Sequence, residues 1–94
     1  MGRHMNEYVL DEFQRVKVEQ WLWNRQDPRI RDLLSGLSYN PRRIIELRYG
    51  LKYGHRYSLE ETARVFRKPV DWVRTIEAFA LFQLYQFLVP AGRL

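Results

Sequence analysis

The sequence contains no cysteine and only two histidines, His4 and His55. The missing thiols exclude a disulfide framework and any metal site built from cysteine ligands. Glycine and proline are scarce, with five and four residues in 94. No apolar run reaches the roughly 18 residues that a membrane-spanning helix needs, and no signal peptide is visible. These absences favour one small globular domain with no membrane partner.

Basic residues outnumber acidic ones, which gives a formal net charge of +5 and a pI near 9.9. An excess of positive charge favours anionic partners, nucleic acid first among them, although a solvated basic surface has the same composition. Acidic residues such as Asp11, Asp27 and Glu61 fit helix caps or surface charge, and no nucleophile–base pair accompanies them. The sequence therefore predicts a protein that is not an enzyme and that needs no cofactor or metal.

The N-terminal quarter predicts a helix in front of the main domain. Residues 1–5, MGRHM, read as a tag remnant and are excluded from the fold. Residues 6–27 are predicted as an N-terminal amphipathic helix from Asn6 to Arg25, interrupted near the β-branched Val16 and Val18. The expected apolar stripe of this helix consists of Val9, Leu10, Phe13, Val16, Trp21 and Leu22.

Start and stop signals divide the rest of the chain into further helices. Asp27-Pro28 begins a short helix whose apolar face is Ile30, Leu33, Leu34 and Leu37. Pro41 opens a third helix, Gly50 ends it, and residues 51–57 form a loop. Ser58 and Glu61 are spaced as a capping box. After a turn at Arg67-Lys68, Pro69 precedes a last helix that runs toward Pro90. The pattern predicts an all-α domain of four to six helices, with a helix-turn-helix from Ser58 to about Leu84.

The last helix contains EAFALFQLYQFLV, residues 77–89, in which ten of thirteen residues are apolar or aromatic. A helix that is apolar on all sides is a buried helix. At about 100° per residue, the inner face is Val73, Ile76, Ala80, Leu84 and Leu88. The outer face is Phe79, Phe82, Tyr85 and Val89, with Trp72 nearby. Two covers for the outer face stay open: the N-terminal helix with Trp21 and Trp23, or a second protein or second copy of the chain.

Three stretches carry a resemblance to a known family. The segments LLSGLSYNPRRIIELRYGL at 33–51, YSLEETARVF at 57–66 and VRTIEAFAL at 73–81 resemble region four of the sigma-70 family of bacterial transcription initiation factors. They keep the family's order and spacing over more than half of the chain. Residues 28–94 are accordingly predicted as a divergent region-four-like domain, either stand-alone or excised from a longer factor.

The resemblance implies two partners. Domains of this family contact the −35 element of promoter DNA through the second helix of the helix-turn-helix. They also hold the flap tip of the RNA polymerase β subunit in an apolar groove. Carried onto this sequence, the DNA-binding set is Val70, Asp71, Arg74 and Thr75, with phosphate contacts from Arg42, Arg43, Arg48, Arg56, Arg67 and Lys68. The partner-binding set is Ile45, Leu47, Leu51 and Leu59 for the groove, with Phe79, Phe82 and Tyr85 on the last helix.

The sequence departs from the family where bases are read. Family helices typically open with Thr and Arg-Glu-Arg and carry Arg and Gln further in, whereas this chain has Pro69, Val70 and Asp71, then Arg74 and Thr75. Valine offers a base only apolar contact, which leaves Arg74 as the main bidentate reader, a contact that gives about 1–3 kcal/mol of discrimination. We expect weak, salt-dependent and poorly selective binding to double-stranded DNA by the domain alone.

Two function classes follow. The first is a sigma-like transcription initiation domain that binds the β flap and the −35 region. The alternative is a protein-interaction module, a co-sigma or phage-type polymerase-binding factor that has lost sequence-specific DNA reading and can act as a homodimer. Either would work in the cytoplasm of a bacterium or a phage-infected cell. Nothing in the chain resembles region two, which reads the −10 element, so promoter opening would need a partner that carries it.

Overall fold

A computed structural model describes residues 9–23, 29–52 and 54–90. Over these residues the chain forms α-helices and no strand. The helices are α1 (Glu12–Trp23), α2 (Ile30–Leu34), α3 (Tyr39–Arg48), α4 (Leu59–Phe66) and α5 (Val70–Leu88). The all-α prediction is confirmed, and α4 and α5 are the two helices of the helix-turn-helix. The predictions for residues 1–5 and for Asp27-Pro28 lie outside the described residues.

Helix α1 begins at Glu12, and residues 9–11 before it are not helical; the predicted start at Asn6 lies outside the described residues. Asp11 and Gln14 form a reciprocal pair: the Asp11 N–H donates to Gln14 Oε1 at 3.0 Å, and the Gln14 N–H donates to Asp11 Oδ1 at 2.8 Å. This pair satisfies two backbone donors at the helix start, as a capping box does. The predicted interruption near Val16 is wrong, since α1 runs unbroken to Trp23 and β-branching lowers helix propensity only slightly.

The buried face of α1 differs from the predicted stripe. Val18 and Leu22 are fully buried and Trp21 nearly so, whereas Phe13 is 70% exposed. Val9 and Val16 are exposed as well. The apolar residues of α1 lie on two opposite sides of the helix, and only the Val18 side packs into the core. Sequence spacing alone gave no reason to prefer that side.

Helix α3 begins at Tyr39 with Ser38 as its N-cap, two residues before the predicted start at Pro41. Pro41 fits the first turn because a backbone N–H there has no partner within the helix. The predicted end at Gly50 is confirmed. Gly50 has φ 63°, and the N–H groups of Gly50 and Leu51 donate to the carbonyls of Leu47 and Glu46 at 3.3 and 3.0 Å. These two bonds form a Schellman motif, which favours glycine at its left-handed position.

Helix α5 joins two apolar clusters. The larger cluster holds its C-terminal half against α1, α2 and α3, and the smaller one holds its N-terminal half against α3 and α4. The larger cluster contains Val18, Trp21, Leu22, Ile30, Leu34, Leu37, Ile45, Tyr49, Ala80, Leu81, Leu84 and Leu88. The smaller one contains Ile44, Ala63 and Val73, with Leu59, Phe66, Val70, Trp72 and Ile76 packed against it. The predicted inner face of α5 is buried, except that Ile76 is half-buried.

The capping box at the start of α4 is confirmed. The Glu61 N–H donates to Ser58 Oγ at 3.0 Å, and the Ser58 N–H donates to Glu61 Oε1 at 2.8 Å. The hydrogen bond from the Ser58 backbone lowers the pKa of the Glu61 carboxyl. A lowered folded-state pKa means that this contribution to stability is present above the carboxyl's ordinary pKa. It is lost as the pH falls through the lowered value.

Replacement of Ser58 with Ala is expected to reduce the free energy of unfolding by about 1 kcal/mol, because the N-cap bond to the Glu61 N–H is lost. Ser38→Ala is the matched control, since Ser38 is also an N-cap residue but makes no side-chain cap bond. Urea unfolding followed by circular dichroism measures both variants. Equal losses in the two would contradict a specific role for the Ser58 cap.

Candidate nucleic-acid interface

The turn before α5 sets the direction of α5, the second helix of the helix-turn-helix. Arg67 ends α4 in the left-handed region with φ 55°. The N–H groups of Arg67 and Lys68 donate back to the carbonyls of Arg64 and Ala63 at 3.2 and 3.0 Å. Pro69 is extended and serves as the N-cap of α5. Only three residues separate the two helices, and the small side chain of Ala63 is buried in the smaller cluster with Val73 of α5.

Polar side chains line the exposed side of the first two turns of α5. Arg74 Nη1 lies 3.1 Å from Asp71 Oδ1, and these side chains are 62% and 91% exposed. Thr75 is exposed as well, and its hydroxyl donates to the Asp71 carbonyl at 2.9 Å. Val70 differs from these three, because it is half-buried against the smaller cluster. The structure therefore brings three of the four predicted base-contacting residues onto one open surface.

Exposed cations surround the start of α5. Arg67 and Lys68 are exposed in the turn, and the Lys68 ammonium lies 5.5 Å from the centre of the Trp72 ring. Arg64, in the last turn of α4, is also exposed and was not predicted as a DNA contact. In the sequence, only its position three residues before Arg67 indicates that Arg64 belongs with the cations of the turn. These cations give the side that carries the turn a positive character.

Arg48 is half-buried and is held by bonds to other parts of the domain. Its Nε donates to Glu77 Oε2 at 2.8 Å and its Nη1 donates to the Tyr57 carbonyl at 3.0 Å. The guanidinium thus ties the end of α3 to α5 and to the loop before α4. Arg43 is half-buried and lies 3.8 Å from Glu46. For both residues, a phosphate contact would compete with bonds that the fold already uses.

A second internal link joins α1 to the loop before α4. The Trp23 ring packs on Tyr49, with ring centres 4.8 Å apart, and the Arg56 guanidinium stacks on Trp23 at 4.5 Å. The Tyr49 hydroxyl donates to Glu19 at 3.2 Å. Burial, then the charges of Glu19 and Glu77, raise the pKa of Tyr49, so its hydroxyl stays protonated as the donor. Arg56, a predicted phosphate contact, is therefore engaged with an aromatic ring.

The predicted groove residues divide into two groups. Ile45 and Leu47 are buried in the core, with exposures of 0% and 1%. A partner cannot reach either side chain, so the prediction for these two, which was carried over from the family resemblance, needs correction: both face inward. Leu51 and Leu59 are half-buried and keep surface for a partner.

The inner and outer faces of α5 are packed against different parts of the domain. Helix α1 covers the inner face, where Val18, Trp21 and Leu22 meet the larger cluster. The N-terminal helix with Trp21 and Trp23 was one of the two covers left open for the outer face, but Trp21 lies in the larger cluster and Trp23 packs on Tyr49. Phe79 and Phe82 are half-buried, Tyr85 packs partly against the larger cluster, and Val89 is 47% exposed. The N-terminal helix therefore does not enclose the outer aromatic face completely.

Two other kinds of site are missing from the described ranges. No three His, Asp or Glu side chains of residues 9–23, 29–52 and 54–90 come together as metal ligands. In the same part of the chain, no helix is both long and apolar enough to cross a membrane.

The fold defines a small helix-turn-helix domain with exposed cations at the turn and a polar surface on its second helix. Residues 33–86 match the family model of sigma-70, region 4. The chain belongs to the sigma-70 region 4 family, which is a family of transcription factor domains and not of enzymes.

Related proteins are much longer than this chain. It is similar to the chloroplastic RNA polymerase sigma factor sigF of Arabidopsis thaliana, at 40% identity over 63 residues, 67% of this chain and 12% of that protein. It is also similar to the RNA polymerase sigma factors SigA of Listeria monocytogenes and of a Bacillus species, at 28% and 27% identity over 81 residues. Those matches cover 86% of this chain and 22% of each relative. No solved structure matches significantly.

The Arg48–Glu77 pair is expected to show a coupling free energy of about 1–2 kcal/mol in a double-mutant cycle of alanine variants. Its side chains are only 26% and 13% exposed, so water screens the pair weakly. The exposed Asp71–Arg74 pair is the matched control and should show about 0.5 kcal/mol or less. Urea unfolding of the single and double variants gives both values. Similar coupling in the two pairs would contradict a structural role for Arg48.

Proposed function

We propose that this domain contacts the −35 region of promoter DNA with the first turns of α5 and docks on the β flap of RNA polymerase. Membership of the region 4 family supports the proposal, as do relatives that are named RNA polymerase sigma factors. The observation that carries it is the open polar surface of Asp71, Arg74 and Thr75 beside the cations Arg67 and Lys68. In a helix-turn-helix, the second helix lies in the major groove with its N-terminal residues toward the bases.

The DNA contact divides into two kinds. Arg64, Arg67 and Lys68 would bind phosphates, which adds affinity without sequence information. Arg74 would read guanine, and Asp71 can accept a hydrogen bond from cytosine. In the free domain these two side chains bond to each other, so base contact must replace their own ion pair. Arg43 and Arg48 keep their predicted phosphate role only at the expense of contacts within the fold.

The polymerase contact uses the accessible part of the predicted groove. Leu51 follows the Schellman turn of α3 and packs partly on the larger cluster, while Leu59 starts α4 and packs partly on the smaller one. The two leucines therefore flank the loop between α3 and α4. A flap segment with apolar side chains would cover surface that the fold leaves half open.

The outer face of α5 is proposed as a further partner surface. Phe79, Phe82 and Tyr85 are half-buried, and α1 leaves part of this face open. Large apolar side chains in contact with water are costly, at roughly 25 cal/mol per Å² of exposed apolar area. A second protein or a second copy of the chain would remove that cost.

The alternative function is a polymerase-binding module without sequence-specific DNA reading. One observation favours it: each predicted base reader is already engaged in the free domain. Val70 packs on the smaller cluster, the Thr75 hydroxyl bonds to the Asp71 carbonyl, and Arg74 pairs with Asp71. Such a module would be brought to DNA by its protein partner.

Lys68→Gln is expected to weaken binding to every duplex, whatever its sequence, and to reduce the slope of log K against log salt by about 1. Arg15→Gln is the charge-matched control, because Arg15 is exposed on α1, outside the helix-turn-helix, and its loss lowers the net charge equally. Fluorescence anisotropy over a salt series, with a −35-like duplex and a scrambled one, measures both. Equal effects of the two variants would contradict a phosphate site at the turn. Tight, sequence-specific binding by the wild type at physiological salt would contradict the alternative function.

Leu59→Gln is expected to abolish capture of the domain by purified β flap, because the contact loses its apolar surface. Val65→Gln is the control, since Val65 is apolar, 49% exposed and also on α4. Circular dichroism must show that both variants keep their helices. A wild-type domain that does not bind flap at about 50 μM, where a contact with Kd in the low micromolar range would be nearly saturated, would rule out direct flap docking.

A further inference from the structure

Helix α1 carries a second apolar face that the domain covers only in part, at Trp23. Phe13 is 70% exposed, Trp23 is 41% exposed and Val16 is 39% exposed, and the polar Gln20 is exposed between them. At about 100° per residue, these four side chains fall within one narrow stripe. The stripe lies opposite the side of Val18 that packs on α5, so α1 has apolar surface on both sides.

The spacing of this stripe is that of a coiled-coil seam. Positions 13, 16, 20 and 23 are separated by three, four and three residues, which corresponds to a, d, a and d of a heptad. In this register Glu12 and Glu19 occupy g positions and Lys17 occupies an e position. One flank of the stripe is therefore acidic and the other is basic.

From this register we infer that α1 pairs with α1 of a second copy as a short parallel two-helix seam. In a parallel pair, each g residue faces the e residue five positions later in the partner helix. Glu12 and Lys17 have that separation, so two symmetry-related attractive pairs would form. An antiparallel pair would instead bring the acidic flank of one helix against the acidic flank of the other.

Gln20 also favours a second copy as the occupant. A glutamine side chain both donates and accepts hydrogen bonds, so a two-fold axis along the seam would let Gln20 bond to its own counterpart. One polar residue at an a position is a known means of fixing register and helix number in coiled coils. Self-association through α1 does not depend on the proposed contacts with polymerase and DNA, because α1 lies outside the helix-turn-helix.

The seam is short, so the dimer is weak. Helix α1 has 12 residues, fewer than two heptads, whereas stable coiled coils extend over three or more. The Trp23 ring also contacts Tyr49, which reduces the surface that it can offer to the seam. In the monomer Lys17 lies over the Phe13 ring at 4.9 Å, a contact that its ammonium would exchange for Glu12 of the other copy.

The experiment is sedimentation equilibrium of the full chain between about 10 μM and about 1 mM, the range of weak interfaces. Phe13→Glu should weaken dimerisation at least about tenfold while the circular dichroism stays unchanged, because the side chain is largely exposed. Val65→Glu, on an apolar residue of α4 outside the seam, should leave dimerisation intact. A wild type that is monomeric up to about 1 mM, or an equal loss in both variants, would overturn the proposal.

Charge exchange then tests the orientation. Lys17→Glu and Glu12→Lys should each weaken the dimer roughly fivefold or more, because two symmetry-related pairs become repulsive. The double variant should recover wild-type dimerisation. If Glu12→Lys strengthens the dimer, the helices are antiparallel and the parallel seam is wrong. If the double variant stays monomeric, the pairing of Glu12 with Lys17 is wrong.

Discussion

Burial of the inner face of α5 is the constraint on which the other helices depend. Val73, Ala80, Leu84 and Leu88 are fully buried along this one helix, and the four other helices pack around it. Its N-terminal half fixes the helix-turn-helix, and its C-terminal half fixes α1 and α2. Since one helix contributes to both clusters, apolar contacts at its C-terminal end help to fix the position of the polar surface on its first turns. Because protein interiors are densely packed, a change in the contacts at one end of the helix shifts its other end as well.

The polar links near Arg48 fix what the apolar clusters leave free. Arg48 joins α3, α5 and the loop before α4, while the stack of Tyr49, Trp23 and Arg56 joins that loop to α1. Some of the cations behind the net charge of +5 are therefore already engaged within the domain and are less available to an anionic partner. Arg48 and Arg56 contribute to architecture through these contacts. Under the proposed function, the exposed cations in the turn before α5 would supply the electrostatic attraction to DNA.

Local signals predicted local structure well. The box of Ser58 with Glu61, the stop at Gly50 and the break before Pro69 each depend on a few neighbouring residues, and each is present. The failures concern contacts between distant segments. Nothing in the spacing of α1 shows which of its two apolar sides meets α5, and nothing around Ile45 shows that it faces the core. The pair of Asp11 with Gln14 is local and could have been read, because glutamine serves at N3 as glutamate does.

Val70 illustrates how packing limits the base contacts that are proposed for this domain. The family typically has a long polar side chain where this chain has valine, and the valine instead packs on the smaller cluster with Ala63 and Val73. Its apolar surface stabilises the junction of α4 and α5, but it offers a base at most a methyl contact. Under the proposed function, the missing discrimination has to come from a tether. A polymerase contact that raises the effective concentration at the promoter by even a few orders of magnitude compensates for weak intrinsic binding. A weakly selective helix-turn-helix is then sufficient for promoter binding, provided that the polymerase determines the DNA site at which the domain binds.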